Sequence, residues 1–168
     1  MKGNFDIERT IRNFHKLIED SRKLYAESPE IDCPFFKSRF GYVVALTSDG
    51  FNHLMNKSNR QPRNIREQRL KLRLLKPALQ ILKDAGTVQE YRVRLEKVGD
   101  PGKDGLYKTK NVEYWGFHDI KGEGATKILL RVIIRRIGDG KFHFWSVMPI
   151  GQIGRQKFYR DTLDEDVA

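Results

Sequence analysis

Cysteine is nearly missing from this chain: Cys33 is the only one in 168 residues. An internal disulfide and every multi-cysteine zinc site are thereby excluded. Histidines are few, and His15, His53, His118 and His143 never fall at His-x-His or His-x-x-x-His spacing. With no tight carboxylate cluster to help them, they give no metal-binding pattern. Long apolar runs are missing too. The longest, Ile128–Ile134, is interrupted by Arg131 and falls well short of the roughly 18 residues a membrane span needs. Met1–Asp6 lacks the apolar segment of a secretory signal. No P-loop, dinucleotide fingerprint or Gly-x-Ser-x-Gly elbow occurs. These absences predict a soluble, cytoplasmic protein with no metal, no cofactor and no membrane partner. Cys33, beside Pro34 and Phe35, reads as a small buried apolar residue rather than a nucleophile.

Acids are also in short supply. Lys and Arg number 32 against 22 Asp and Glu, a formal charge of +10, and four of the acids sit in the last eight residues. Residues 1–160 therefore hold 32 cations against 18 acids. Such a field favours a polyanionic partner, nucleic acid or an acidic protein. With 39% hydrophobic and 11% aromatic residues, the chain can still bury a core of its own.

Periodicity changes along the chain. Residues 5–27 predict an amphipathic helix with Ile7, Ile11, Phe14, Ile18 and Tyr25 on one stripe, ended by Ser28-Pro29. Residues 29–40 read as an irregular but aromatic connector, and Tyr42–Leu46 as a short strand. Thr47–Gly50 then caps a short helix, Phe51–Lys57. Residues 64–84 give the clearest helix, striped by Ile65, Leu72, Leu75, Leu79 and Leu82, with Pro77 marking a kink or a new start. From Thr87 the period becomes two. Glu90–Glu96, Val112–Ile120, Lys127–Ile137 and Lys141–Met148 read as strands, and Asp139-Gly140 makes the last two a hairpin. The predicted fold is α+β: N-terminal helices packed on a C-terminal antiparallel β-sheet of about four or five strands. The predicted organisation is an N-terminal helix and connector (1–40), an α+β domain (41–150) and an acidic C-terminal tail (151–168).

In the hairpin, Ile128, Leu130, Val132 and Ile134 form an aliphatic set that should face the helices. Lys127, Arg131 and Arg135 fall on the other side. A two-residue turn pairs Ile133 with Ser146 and Arg135 with Phe144, joins Ser146 to the basic face and sends Trp145 to the core. A three-residue turn would set His143 beside Arg135 instead. The Asp-Gly pair favours the first, although a slip of one residue exchanges the faces.

The densest basic stretch is Arg60–Lys76. Arg66, Arg69 and Arg73 share one side of the helix, with Arg63 just before it. They form either a phosphate-tracking face or a solvated helix surface. His53 stands at the polar edge of its short helix, placed either for proton transfer or for local packing. Tyr91, Tyr114 and Trp115 are either base-stacking platforms or sheet aromatics.

The order of "FNHL" on a short helix, an arginine-bearing strand "KILLRVIIRR" and a terminal "FHFWSVMP" resembles the barnase–EndoU–colicin–RelE (BECR) class of metal-independent ribonucleases, particularly its phage-associated branch. The resemblance covers roughly residues 42–149. It implies a curved antiparallel sheet behind N-terminal helices, and a histidine, an arginine and a Ser/Thr acting together, which by position are His53, Arg131 and Ser146. The implied reaction is cleavage of RNA by attack of the ribose 2′-hydroxyl on the adjacent phosphorus. Arg135 would be a second phosphate contact, and Arg63, Arg66, Arg69, Arg73 and Lys127 would bind the strand. The setting implied is a bacterial toxin, a phage protein or a mobile-element protein, with an acidic antitoxin or immunity protein as partner. The alternative is a noncatalytic nucleic-acid-binding or anti-defence protein.

Overall fold

The computed structural model describes residues 2–124, 127–153 and 156–158. In chain order the elements are α1 (Lys2–Glu27), β1 (Glu30–Ile31), α2 (Pro34–Phe40), β2 (Val44–Ala45), α3 (Ser48–Met55) and α4 (Ile65–Asp84), followed by β3 (Glu90–Val98), β4 (Lys108–Lys121), β5 (Ile128–Ile137) and β6 (His143–Pro149). A small hairpin, β7 (Gly151–Ile153) with β8 (Gln156–Phe158), ends the described chain. The class is α+β. The main sheet has six strands in the order β1-β2-β6-β5-β4-β3, more than the four or five expected. It is mixed rather than antiparallel, because β2 runs parallel to β6 through Ala45 and His143. Among the described residues no helix is long and apolar enough to cross a membrane.

Local chemistry explains the helix starts. Thr47 caps α3 by accepting from the Gly50 N–H at 3.2 Å. Asn64 caps α4 by accepting from the Glu67 N–H at 2.9 Å, while its own amide donates to the Glu67 carboxylate. Each bond satisfies a donor that the first helical turn leaves open. Pro77 does not divide α4, which runs unbroken through it. The connector is more ordered than its sequence predicts. Pro34, at the start of α2, needs no N–H there, and the Phe35 N–H anchors that helix to the Ala85 carbonyl at 2.9 Å.

One core lies between the helices and the sheet. Leu72, Leu75, Leu79 and Leu82 of α4 meet Leu130, Val132, Ile134, Phe144 and Val147 of the sheet. The aliphatic set of β5 thus faces the helices, as its alternation predicts. The α1 stripe packs only from Phe14 onward; Ile7 and Ile11 remain exposed. Beyond the sheet, Val112, Tyr114, Ile133 and Trp145 form a second, smaller cluster.

The β5–β6 hairpin contains both expected registers. Ile133 pairs with Ser146, as a two-residue turn requires, but Ile134 pairs with Phe144 and Arg135 with His143. Trp145 is the extra residue, a β-bulge. The bulge decides the face that three residues take. Phe144 and Phe142 join the helix-side core, whereas Trp145, expected there, lies in the cluster on the opposite face.

The glycine at position 50 is required by close approach. A Cβ on Gly50 would collide with the Phe144 carbonyl oxygen, so α3 can lie directly against β6 only without a side chain there. That contact puts Phe51 and Leu54 into the main core and His53 against Trp145.

Candidate active site and adjoining cleft

Arg131 does not point at open solvent. It is 2% exposed, and its Nε donates to the Glu90 Oε2 at 2.7 Å. The same carboxylate oxygen lies 2.6 Å from the His118 Nε2. Three adjacent strands supply this group: β3 begins with Glu90, and His118 of β4 pairs directly with Arg131 of β5. Gly116 makes the convergence sterically open, since it pairs with Glu90 and a Cβ there would sit 3.0 Å from the Glu90 Cβ and Oε2. The carboxylate can therefore lie across the strand toward both partners. The Glu90 and His118 side chains keep about a quarter of their surface, 24% and 25%. A carboxylate and an imidazole in contact, both reachable, backed by a buried guanidinium, can accept a proton, donate one and hold negative charge.

The resemblance sets Arg131 beside His53, a different histidine from the one found there. The imidazole beside it belongs to His118, and Glu90 was not singled out. The signal for both was long-range: only the β3–β4 register brings Glu90 to Gly116, and the intervening loop of residues 99–107 does not set that register. Ser146 is fully buried and its Oγ accepts from the Lys71 Nζ at 2.7 Å. The same ammonium donates to the Val147 carbonyl at 3.2 Å. The serine hydroxyl thus serves a buried lysine of α4.

His53 and Arg135 do meet, at Trp145. The His53 ring stacks on the indole with centroids 4.1 Å apart and an angle of 15°, and the Arg135 guanidinium lies 4.2 Å from the indole centroid. Arg63 is buried rather than presented to a strand. Its Nε donates to the His53 carbonyl at 3.1 Å and its terminal nitrogen faces the His53 Nε2 at 3.3 Å. A guanidinium can only donate, so Nε2 accepts and the ring proton sits on Nδ1. Arg66, Arg73 and Lys127 are exposed and Arg69 is half-buried.

Around this stack opens a cleft of about 520 Å³ lined by Asp49, Asn52, Asn56, Lys57, Ser58 and Arg60 together with His53, Arg135 and Trp145. Arg135 also approaches the Glu96 carboxylate at 3.6 Å, which accepts from the Tyr114 hydroxyl at 2.9 Å. Burial, against the pull of Arg135, pushes the Tyr114 phenol up to about 12, so it remains a donor. Among the described residues, the Arg135 Nε, the Trp145 Nε1 and the His143 Nε2 are buried without a hydrogen-bond partner. Leaving such groups unpaired costs about 1–3 kcal/mol each, and here they occur on neighbouring residues. Of the aromatics considered for base stacking, Tyr114 and Trp115 are buried and Tyr91 is exposed.

His143, opposite Arg135, is pushed below the usual imidazole range, first by burial and then by the Arg135 guanidinium; the Lys141 carbonyl and Asp49 oppose the shift. The folded protein therefore binds a proton there less readily than the unfolded chain. Stability from this group is fully present above about pH 6.5, the ordinary imidazole value, and is lost as pH falls below it. Urea unfolding at pH 7.5 and pH 5 should show the loss, and His143→Gln should reduce it. An identical pH dependence in the two proteins would remove His143 as a cause.

Among the described residues no group of three or more His, Cys, Asp or Glu could hold a metal ion. Comparison with family models, curated proteins and solved structures finds no match to this chain.

Proposed function

We propose that the protein is a ribonuclease that cleaves RNA by 2′-hydroxyl transesterification, with Glu90, His118 and Arg131 as its working groups. The observation that carries this reading is the meeting of a half-buried carboxylate, a half-buried imidazole and a buried guanidinium on three neighbouring strands, at 2.6 and 2.7 Å. Glu90 takes the 2′-hydroxyl proton, and the oxygen attacks the adjacent phosphorus. Protonated His118 gives its proton to the departing 5′ oxygen, leaving a 2′,3′-cyclic phosphate. The Arg131 guanidinium offsets the charge that builds on the phosphate oxygens. The contact between Glu90 and His118 lets the carboxylate return its proton to the imidazole, which resets both groups. The reading keeps the reaction class that the BECR resemblance implies and moves its histidine from His53 to His118. An acidic antitoxin or immunity protein remains its proposed cellular partner, and the cytoplasm its proposed setting.

A second reading, noncatalytic nucleic-acid binding, draws on the exposed Arg66 and Arg73 with half-buried Arg69 along α4. Labelled RNA incubated with the protein in excess chelator separates the two. Fragments ending in 2′,3′-cyclic phosphate, with 2′-O-methyl RNA left whole, are expected of the ribonuclease. Retention of intact RNA without scission would favour the binding protein.

A further inference from the structure

The cleft beside Trp145 has no part in the proton transfers just described, yet it lies on the same sheet face. Arg131 and Arg135 are four residues apart on β5 with Ile133 between them, which sets them about 13 Å apart along the strand. A few nucleotides of single strand cover that distance. The cleft volume of about 520 Å³ suits a small polar ligand, and its wall is rich in donors. Arg60 and Lys57 stand at it, Asn52, Asn56 and Ser58 add amide and hydroxyl groups, and Asp49 can accept from an amino group. Arg135 and Trp145 line it, and each has a buried N–H without a partner among the described residues. The indole is already occupied by His53 and the Arg135 guanidinium, so recognition falls to phosphate and polar edges rather than to stacking.

Arg60 adds an independent observation. Among the described residues it is the only non-glycine with positive φ, at 64°, a conformation that disfavours a side chain with a Cβ. Its ion pair with Asp100 spans 3.3 Å between side chains 86% exposed on both sides, too solvated to justify that backbone. An arginine held there supplies a cation to the cleft at a place where glycine would fit more easily.

We infer that this cleft is a nucleotide subsite, holding a phosphate-bearing unit of the RNA strand a few nucleotides from the bond cleaved at Glu90 and His118. The identity of the ligand rests on the ribonuclease reading; the donor-lined cleft does not.

The probe is a fluorescein-labelled 2′-O-methyl RNA pentanucleotide, which lacks the attacking hydroxyl. Its binding is followed by anisotropy across a salt series. A variant carrying Lys57→Ala and Arg60→Gly should bind at least tenfold more weakly, with a shallower salt dependence, because counterion release falls with each lost phosphate contact. Arg60→Gly alone should not lower the urea midpoint of unfolding, which separates a lost contact from a damaged fold. KM for unmodified pentanucleotide RNA should rise by a similar factor. Unchanged affinity and salt slope in the double variant would overturn the inference, as would an equal loss from Arg66→Ala and Arg73→Ala alone. Cleavage of RNA with no effect from the cleft variant sinks the subsite and leaves the ribonuclease. Cleft-dependent binding with no RNA cleaved supports the subsite and sinks the ribonuclease reading.

Discussion

Glu90→Gln should lower RNA cleavage by about 10²- to 10⁴-fold, the range of a lost general base, with the fold retained at reduced stability because the buried Arg131 loses its counter-charge. The substitution is nearly isosteric. An amide oxygen can still accept from the Arg131 Nε, which now reaches the carboxylate at 2.7 Å, but the amide cannot take a proton from a 2′-hydroxyl. His118→Ala removes the donor and should cost a similar factor. Arg131→Ala is the poorer test, since it leaves the Glu90 carboxylate without its buried partner and lowers stability as well. Arg131→Lys keeps a positive charge without the planar fork and should retain folding better than activity. Circular dichroism and urea unfolding serve as controls. If purified Glu90→Gln cleaves RNA within twofold of the parent protein, the assignment of the base fails.

Phe36→Ala should destabilise the fold by about 3–5 kcal/mol, measured as a shift in the urea midpoint at unchanged slope. Phe36 has no exposed surface. Its ring meets Phe35, Phe40, Trp115, Phe117 and Phe142 at centroid separations of 4.4–6.2 Å. It joins α2 to β4 and to the chain entering β6, so the cavity left by truncation cannot close by moving one neighbour. Against a typical net stability of about 5–15 kcal/mol, such a loss is a large share. A cost below about 1 kcal/mol would show that the cluster is not a structural centre.

Phe36 lies in the segment that the sequence presents as irregular, and the reason is physical. A helix of seven residues and strands of two are too short to display a period, so their apolar residues read as a cluster without direction. The helices over residues 5–27 and 64–84 and the strands flanking Asp139-Gly140 were legible because each repeats its pattern over several turns or pleats. The aliphatic face of β5 followed from the same repetition. The candidate site was legible only at Arg131, which stands out within a run of aliphatic residues. Glu90 and His118 gain their meaning from partners 41 and 13 residues away. Nothing in the alternation of Val112–Ile120 marks Gly116, whose missing side chain makes room for a carboxylate. The hairpin misled for another reason: next to the turn the pairing is that of a three-residue loop, and the two-residue register returns only beyond Trp145, an extra residue that nothing in Phe142–Met148 announces.

That extra residue behaves like a one-codon insertion. Without Trp145, Phe144 and Ser146 would be successive, and their partners Ile134 and Ile133 already are. A deletion there would leave a regular ladder with every other pairing intact, a hairpin that folding alone would find simpler. It would also take away the surface on which His53 and Arg135 converge. What the chain keeps at position 145 is thus an irregularity the hydrogen-bonded scaffold does not need, and its use lies in the ring it carries.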